Sequence, residues 1–534
     1  MDWLTVVSDG TERRIPITPG LSVRDMLVKA RLPVRSACRG NGACGLCLVQ
    51  VEAGLVNERT RSERLVLSPE QRELNIRLAC QLLPEGDLRV RIINPAEESN
   101  WREIPPAHLR CMPSQLASES DWGEAEATYG LAVDLGTTHI SVTAWDLKRR
   151  ARVFSRVGAN PQTQYGADVI TRLLAAKESP RRSRSIARIV LHALNEALLP
   201  VCESDGFGPA RVSKVVIVGN TAMIALLTET PSPGLLRSYT WSEPLERARS
   251  SFQAWSGVLG IPSSAKFAVI PPLAGFVGSD LLAGVLATRL TEEPGSLLID
   301  VGTNSEIALW DGTTLWVTSA AGGPAFESSA THCGIPAGIG AIHQVSFRPG
   351  SAELEYSVIG GGEAKGLCGT GMIDLIACLL AKGELTPTGK FTRSRPDGFP
   401  VPRKNAPPLR LMSRDVDMFQ RGKAAIGLGI RTVLAAARMN AGDLRRICIG
   451  GAFGTELDIR NAQAIGLLPQ TSPTIVELCG NIALTGCERI LLAADQAASG
   501  LAMLRSRATT INLGLLPDFE VQFLESLYLE SMRA

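Results

Sequence analysis

The sequence predicts a small α+β unit followed by a larger α/β unit built from two copies of one motif. Three observations carry this expectation. A loop with three cysteines sits inside a short strand-and-helix block at the N-terminus. Strand and helix signals then alternate from about residue 129 almost to the end, and Asp-x-Gly-Thr recurs between strand signals in both halves of that stretch. A chain of 534 residues exceeds one ordinary core and calls for two or three domains of ~100–200 residues each. With 45% hydrophobic and 20% charged residues it is not a disordered or fibrous chain. Lys+Arg at 55 against Asp+Glu at 53 leaves no basic excess to neutralise phosphates, which argues against a general nucleic-acid binder. The start, Met1-Asp2-Trp3-Leu4-Thr5, lacks the apolar run of a secretory signal. Apolar runs such as Val215 to Val218 and Leu281 to Ala287 stop short of the ~20 residues a membrane span needs. The expectation is a soluble, cytoplasmic protein with no membrane partner, whose twelve cysteines are thiols or metal ligands rather than a disulfide framework.

Within residues 1–95, strand patterns at Leu4–Val7 and Ile15–Ile17 precede a helix pattern at Val23–Ala30 and the loop Cys38–Cys47. Leu48–Val51 and Leu88–Ile93 read as further strands, the latter ending at Asn94-Pro95. Residues 96–128 carry Glu97-Glu98, Pro105-Pro106, Pro113 and several Ser without sustained periodicity and are expected as a linker.

The duplicated unit divides at 129–290 and 291–534. Tyr129-Gly-Leu-Ala-Val-Asp134-Leu-Gly136-Thr137-Thr138 is echoed by Leu297-Leu-Ile-Asp300-Val-Gly302-Thr303-Asn304, and each is followed by a second strand ending in Trp-Asp, at Trp145-Asp146 and Trp310-Asp311. Downstream, Val215-Val-Ile-Val-Gly219-Asn220-Thr221 pairs with Ile447-Cys-Ile-Gly450-Gly451-Ala452-Phe453-Gly454. The shared order predicts two related lobes around a pseudo-twofold cleft. The longer interval in the second half predicts an insertion, with the Pro-, Thr- and Arg-rich stretch Pro387–Pro408 as part of it.

Cys38, Cys44 and Cys47 form C-x5-C-x2-C, and Cys80 follows after 32 residues. At this cysteine content, two more at fixed offsets arise by chance roughly once in 2000. Structural zinc usually takes two short pairs of ligands, whereas here three thiols share a glycine-rich loop and the fourth is remote. Glycines let the backbone close over an inorganic core and aim N–H groups at its sulfides, so a [2Fe–2S] cluster is the first reading, with zinc or structural thiols as alternatives. Arg35 and Arg39 flank the loop and read as solvated charges or as steering groups for an electron donor. The block resembles the [2Fe–2S] ferredoxin domain, a β-grasp-like fold, with the five-residue first spacing of adrenodoxin-like members. That resemblance puts Cys38, Cys44, Cys47 and Cys80 at the four ligand positions. The other eight cysteines are expected to be buried small hydrophobes, and the adjacent His332 and Cys333 are not assigned a metal.

In the second unit, Asp-x-Gly-Thr between two strands places a tight turn where Gly136 permits close backbone approach and Thr137 and Thr138 offer hydroxyl and N–H groups to phosphate. An aspartate there suits a hydrated Mg²⁺, since a hard cation takes carboxylate and water ligands. One such turn is an ordinary β-turn, while two at matched positions are a motif. Together these residues resemble the actin–hexokinase–Hsp70 (ASKHA) superfamily. The resemblance implies ATP with Mg²⁺ in the cleft, Asp134 and Asp300 as catalytic carboxylates, and Asp134–Thr138 and Asp300–Asn304 as phosphate loops containing Gly136, Thr137, Thr138, Gly302, Thr303 and Asn304. It makes Gly450–Gly454, with Gly450, Gly451 and Gly454, the adenosine-side turn. Asn160-Pro161-Gln162, Gly166-Ala167-Asp168-Val169-Ile170 and Phe276-Val-Gly278-Ser-Asp280 are secondary cleft candidates, each equally readable as a cap or loop. The Gly/Ala-rich run Ala320–Glu327 suits either close ligand approach or a packed sheet-to-helix junction.

A one-electron cluster and an ATP cleft in one chain imply coupling. Plant-type clusters lie near ~−400 mV, and a further 100 mV costs ~2.3 kcal/mol for one electron, a gap that ATP can supply. The combination, with Gly219-Asn220-Thr221-Ala222-Met223 and Ala321-Gly322-Gly323-Pro324-Ala325-Phe326-Glu327, resembles the reductive activators of corrinoid proteins (RACo type). That resemblance implies ATP-driven reduction of Co(II) to Co(I) on a corrinoid protein of a methyltransferase system. It also implies an electron supply from a reductase or ferredoxin and a homodimer as one option for assembly. The alternatives weighed are an activator of a radical dehydratase or another low-potential metalloenzyme, a nucleotide-regulated iron–sulfur redox sensor or scaffold, and a small-molecule kinase.

Overall fold

The computed structural model describes residues 2–8, 11–30, 32, 34, 42, 45, 47–93, 101–109, 128–166, 168–198, 207–230, 233–237, 241, 252–322, 326, 331–348, 350–351, 353–404 and 406–532. Cys38, Cys44, Arg35 and Arg39, and most of the run Gly323–Glu327, lie outside the described residues. Among those described, no helix is long and apolar enough to cross a membrane.

The N-terminal unit is a five-stranded sheet of β1 (Trp3–Ser8), β2 (Thr11–Pro16), β3 (Leu48–Ala53), β4 (Ile76–Leu78) and β5 (Leu88–Ile92) in the order β2-β1-β5-β3-β4. The β1–β5 pair is parallel and the other pairs are antiparallel. The helix Val23–Lys29, capped by Ser22, closes over the sheet and buries Val23, Met26 and Leu27 against Leu4, Val49 and Val90. A short helix, Arg61–Val66, starts on a Thr60–Glu63 capping box. It is clamped by a buried pair in which Arg77 Nε and one of its terminal nitrogens donate to both Glu63 oxygens at 2.8 and 3.0 Å. Burial opposes ionisation of Glu63, but Arg77 and the backbone N–H groups of Thr60 and Leu78 hold its carboxyl below the usual range.

Two six-stranded sheets form the second unit. The first contains β6 (Arg102–Glu103), β7 (Tyr129–Leu135), β8 (His139–Asp146), β9 (Ala151–Ala159), β10 (Val212–Gly219) and β11 (Lys266–Val269), in the order β11-β10-β7-β8-β9-β6. The second begins with β12 (Ser296–Val301), β13 (Ser305–Trp310) and β14 (Leu315–Ala320). An insertion follows, with β15 (Ala341–Phe347), β16 (Leu354–Val358) and β17 (Gly366–Leu367) in one small sheet and β18 (Phe399–Val401) and β19 (Leu409–Leu411) in a hairpin. The sheet is completed by β20 (Arg446–Gly451), β21 (Val476–Leu478) and β22 (Ala508–Ile511), in the order β21-β20-β12-β13-β14-β22. The first five strands of the two orders coincide, whereas the sixth differ, β6 lying antiparallel to β9 and β22 parallel to β14. In each, an antiparallel hairpin pair is flanked by two parallel strands, so the repeat seen in the sequence is a repeat of topology. This is the ferredoxin-plus-ASKHA fold class.

One part of the stretch expected as a linker is structured. Arg102 and Glu103 form the edge strand β6 on β9, and Ile104 and Leu109 are buried against Leu484. A two-residue strand is too short to leave a periodic signal. The two lobes meet through the helices Ser279–Thr288 and Ile482–Leu492, where Gly486 is needed: a Cβ there would lie 1.9 Å from the Ala283 carbonyl oxygen.

Candidate functional site

Parallel pairing sets the cleft. Asp134 ends β7 beside Val218 of β10, and Asp300 lies in β12 opposite Gly450 of β20. Each strand hands its aspartate to a tight turn at its C-terminal end. The Asp300 carboxylate rests on the glycines opposite it: a Cβ at Gly450 would be 3.2 Å, and one at Gly451 2.6 Å, from Asp300 Oδ1. Gly451 also has φ +71 and a Val301 carbonyl 2.2 Å from where a Cβ would stand, so only glycine serves there. The Gly450–Gly454 turn is tied down by Gly451 N–H to Gly480 O at 3.1 Å and Ala452 N–H to Val301 O at 2.7 Å.

The two phosphate-type turns touch. Thr138 Oγ1 and Thr303 Oγ1 are 2.8 Å apart across the cleft. Thr137 is turned the other way, its buried hydroxyl accepting from Asn220 Nδ2 at 2.7 Å and its carbonyl from Arg172 at 2.7 Å. It therefore shapes the first turn, while Thr138 and Thr303 present hydroxyls between the lobes. Gly302 and Asn304 flank Thr303 and are half-buried.

Four carboxylates converge here. Burial raises the Asp134 carboxyl to about 6, against a hydrogen bond from Asn481 that favours its charged form. Burial and then Asp134 raise Asp280 to about 7, and burial followed by Asp280 and Asp134 raises Asp300 to about 8. Glu306, buried on β13, is pushed well above its ordinary value by burial and then by Asp280 and Asp300. Such mutual repulsion in a partly desolvated cleft is relieved by protons or by a cation.

Asp280, a secondary candidate from sequence, thus joins the site. Glu306, opposite Asp300 on β13, carries no role in the sequence reading. Asn481 was missed: it caps the helix Ile482–Leu492 through Leu484 N–H and donates to Asp134 Oδ2 at 3.1 Å and Ser141 Oγ at 3.3 Å. Its signal was its place just before the helix Ile482–Leu492, matching that of Gly278 before the helix Ser279–Thr288 of the other lobe. Asn160 is both a cap and a support, accepting from Gln162 N–H and donating to Gly136 O at 2.8 Å. Asp168 is a helix cap, in a capping box with Thr171.

In the N-terminal unit, Cys47 and Cys80 are brought together by the Ala79 N–H bond to Cys47 O at 2.7 Å. Cys47 is buried and Cys80 half-buried. A hydrogen bond from Cys47 draws the Cys80 thiol down to about 7 against the effect of burial, helped by Gln81, the Gly42 N–H and the charge of Arg24. Gly42 and Gly45, at φ +75 and +68, lie under the helix Arg61–Val66, where Cβ atoms would come within 2.8 Å of Ser62 and 2.6 Å of Val66. A Cys80 thiol drawn toward the thiolate beside Cys47, with Gly42 and Gly45 packed closely against the neighbouring helix, fits a [2Fe–2S] cluster.

The remaining described cysteines behave otherwise. Burial lifts the Cys333 thiol to about 12, and Cys487 donates to the Val133 and Val216 carbonyls from a fully buried position. Cys448, Glu477 and Cys479 have ligand atoms within 4.8 Å of one another, but both Glu477 oxygens are taken by Arg446 at 2.8 and 2.6 Å.

Comparison with known proteins gives matches along almost the whole chain. Residues 6–85 match the 2Fe–2S iron–sulfur cluster binding domain, 129–293 the RACo middle region, and 295–534 the C-terminal domain of RACo, the ASKHA domain. A corrinoid activation enzyme of Eubacterium limosum, RamQ, is 31% identical over 73% of this chain and 68% of its own. The [Co(II) methylated amine-specific corrinoid protein] reductase of Methanosarcina barkeri is 26% identical over 68% of this chain and 70% of its own. A solved reductive activator for corrinoid, iron–sulfur protein superposes with a TM-score of 0.68 at 25% identity, covering 99% of this chain and 98% of the other.

Proposed function

The chain belongs to the RACo-type reductive activators of corrinoid proteins, and from that footing we propose how its two units divide the work. The division we assign is 1–95 for the cluster, 96–128 for the connection, and 129–290 and 291–534 for the lobes. When bound by Cys38, Cys44, Cys47 and Cys80, a [2Fe–2S] cluster stores one electron at low potential. The partner is a corrinoid protein whose Co(II) takes that electron to become Co(I), and ATP hydrolysis in the cleft makes the transfer proceed. The electron enters from a reductase or ferredoxin, and the working assembly is a homodimer.

The convergence of Asp134, Asp280, Asp300 and Glu306 from both lobes between two Asp-x-Gly-Thr turns is the observation that carries the nucleotide half of this reading. Mg²⁺ suits Asp134 and Asp300, which supply the charge and hold its water shell. Asn481 keeps Asp134 ionised and oriented. Thr138 and Thr303 exchange their mutual bond for phosphate oxygens when nucleotide enters, which links nucleotide binding to the relative position of the lobes. Gly136 and Gly302 keep the turns close, and Gly450, Gly451 and Gly454 leave room for the adenosine.

The test uses a Co(II) corrinoid protein from a methyltransferase system, a reductant and Mg-ATP under anaerobic conditions. The corrinoid protein should stimulate ATP hydrolysis, and cobalt reduction, read from the corrinoid spectrum, should vanish in Asp134→Ala. Equal cobalt reduction without nucleotide would refute the coupling.

A further inference from the structure

The cluster unit and the nucleotide cleft are joined by a short run of hydrogen bonds that passes through one buried arginine. The helix Val23–Lys29 is pinned at its start to the segment bearing Cys80: Val23 N–H donates to Leu82 O and Arg24 N–H to Ala79 O, both at 2.9 Å. Arg24 is 6% exposed, and its backbone is bonded to the residue that precedes Cys80, which places the arginine beside the cluster segment. One terminal nitrogen donates to Asp25 Oδ1 at 3.1 Å. The other leaves the unit and donates to the Gln164 carbonyl of the first lobe at 3.2 Å, while Nε is buried without a partner.

Gln164 belongs to the 3-10 turn Pro161–Tyr165, and that turn is built on the first phosphate loop. Its cap, Asn160, is fully buried, donates from its side chain to Gly136 O at 2.8 Å, and donates from its backbone to Thr138 O at 2.7 Å. Arg172 braces the far end of the turn and the same loop, reaching Gly166 O at 2.8 Å and Thr137 O at 2.7 Å. A displacement of Gly136–Thr138 therefore moves the carbonyl to which Arg24 is attached.

We propose that Arg24 is a positioning residue that transmits the state of the first phosphate loop to the iron–sulfur cluster, by moving its guanidinium relative to Cys80 when nucleotide binds. A positive charge near the cluster favours the reduced form, because reduction adds a negative charge. The guanidinium satisfies Asp25 and Gln164 at once because it is a fork, a geometry that lysine does not reproduce. The inference rests on the nucleotide reading above and deepens it by naming the link between the two sites. A physical coupling requires an element that both sites bias, and Arg24 with its turn is that element.

The experiment is anaerobic redox titration of the full-length, cluster-loaded protein, followed by electron paramagnetic resonance, with and without Mg²⁺ and a non-hydrolysable ATP analogue. Binding of a fluorescent nucleotide is measured separately. In the parent, nucleotide should shift the reduction equilibrium at least threefold, which reads as about 30 mV for a one-electron couple. Arg24→Lys should keep the nucleotide-free equilibrium within about twofold and lose the nucleotide-dependent shift. Arg24→Gln should favour the oxidised form and also lose the shift. If nucleotide binds and leaves the parent's potential unmoved, or if Arg24→Lys retains the full shift, the inference is overturned. If no nucleotide binds, the nucleotide reading itself fails and the inference with it. Iron content and the visible spectrum establish cluster loading, and the lysine variant carries the test should the glutamine variant lose its iron.

Discussion

Replacing Asp300 by asparagine should make the nucleotide-free protein more stable at alkaline pH while removing its activity. The carboxyl stands at 3.8 when unperturbed and at about 8 in the fold, raised by burial first and by Asp280 and Asp134 second. A folded value above the unfolded one means that the fold favours the protonated form. The stability this lends is complete below about pH 4 and is lost as pH rises toward 8. The gap between 3.8 and about 8, at about 1.36 kcal/mol per pH unit, sets a ceiling of about 6 kcal/mol. Asp300 is only partly buried, and solvent on its open side screens the repulsion, leaving about 2 kcal/mol to be observed. Asparagine keeps the volume and drops the charge. In buffer free of magnesium and nucleotide at pH 8, Asp300→Asn should melt about 5 °C above the parent. At pH 5 under a third of that gain should remain, and Mg-ATP should close the gap by stabilising the parent alone. Thermal denaturation followed by circular dichroism at the two pH values is the assay. Coincident melting of the two proteins at both pH values, or a variant less stable at pH 8, would refute the electrostatic account.

Three further outcomes follow from particular contacts. Asn481→Ser keeps a helix cap but loses the bond to Asp134, so the acid limb of the ATPase pH profile should move upward from about 6, with roughly tenfold lower turnover at pH 7. An unmoved limb would show that Asn481 does not govern Asp134. Gly451→Ala forces a Cβ to within 2.2 Å of Val301 O at φ +71, and should cost about 1–3 kcal/mol and at least tenfold in affinity for a fluorescent nucleotide. Glu63→Gln leaves Arg77 as a buried, unmatched charge and should destabilise the N-terminal unit by about 3–5 kcal/mol, visible as lower iron content and bleaching at lower temperature. Parent-like iron retention on heating would remove this pair from the account of the cluster loop.

Much of the fold was legible because its signals are local. The strand patterns at Leu4–Val7 and Leu88–Ile93 appear as Trp3–Ser8 and Leu88–Ile92, and the helix pattern at Val23–Ala30 as Val23–Lys29. The two Asp-x-Gly-Thr turns stand at equivalent places in sheets that share the order of five strands. The short edge strand Arg102–Glu103 was not legible, because two residues carry no period and their only partner is β9, some fifty positions away. Asn481 and Glu306 escaped for a related reason. An asparagine before a helix and a glutamate in a strand are ordinary: the hairpin register sets Glu306 opposite Asp300, and only the juxtaposition of the lobes puts Asn481 beside Asp134 and Asp280 near Glu306.

Alone, the sequence determined the ligand-type spacing of the N-terminal cysteines, the duplication, and through them the class of protein, since motif spacing and hydrophobic period are properties of neighbours along the chain. Tertiary structure decided which hydroxyls face each other, which carboxylates repel, and that Arg24 reaches from the first unit to the second. These depend on distances of a few ångströms that the order of residues along the chain does not set. Desolvation and Coulomb repulsion act through space, so their strength is settled only once the chain has folded.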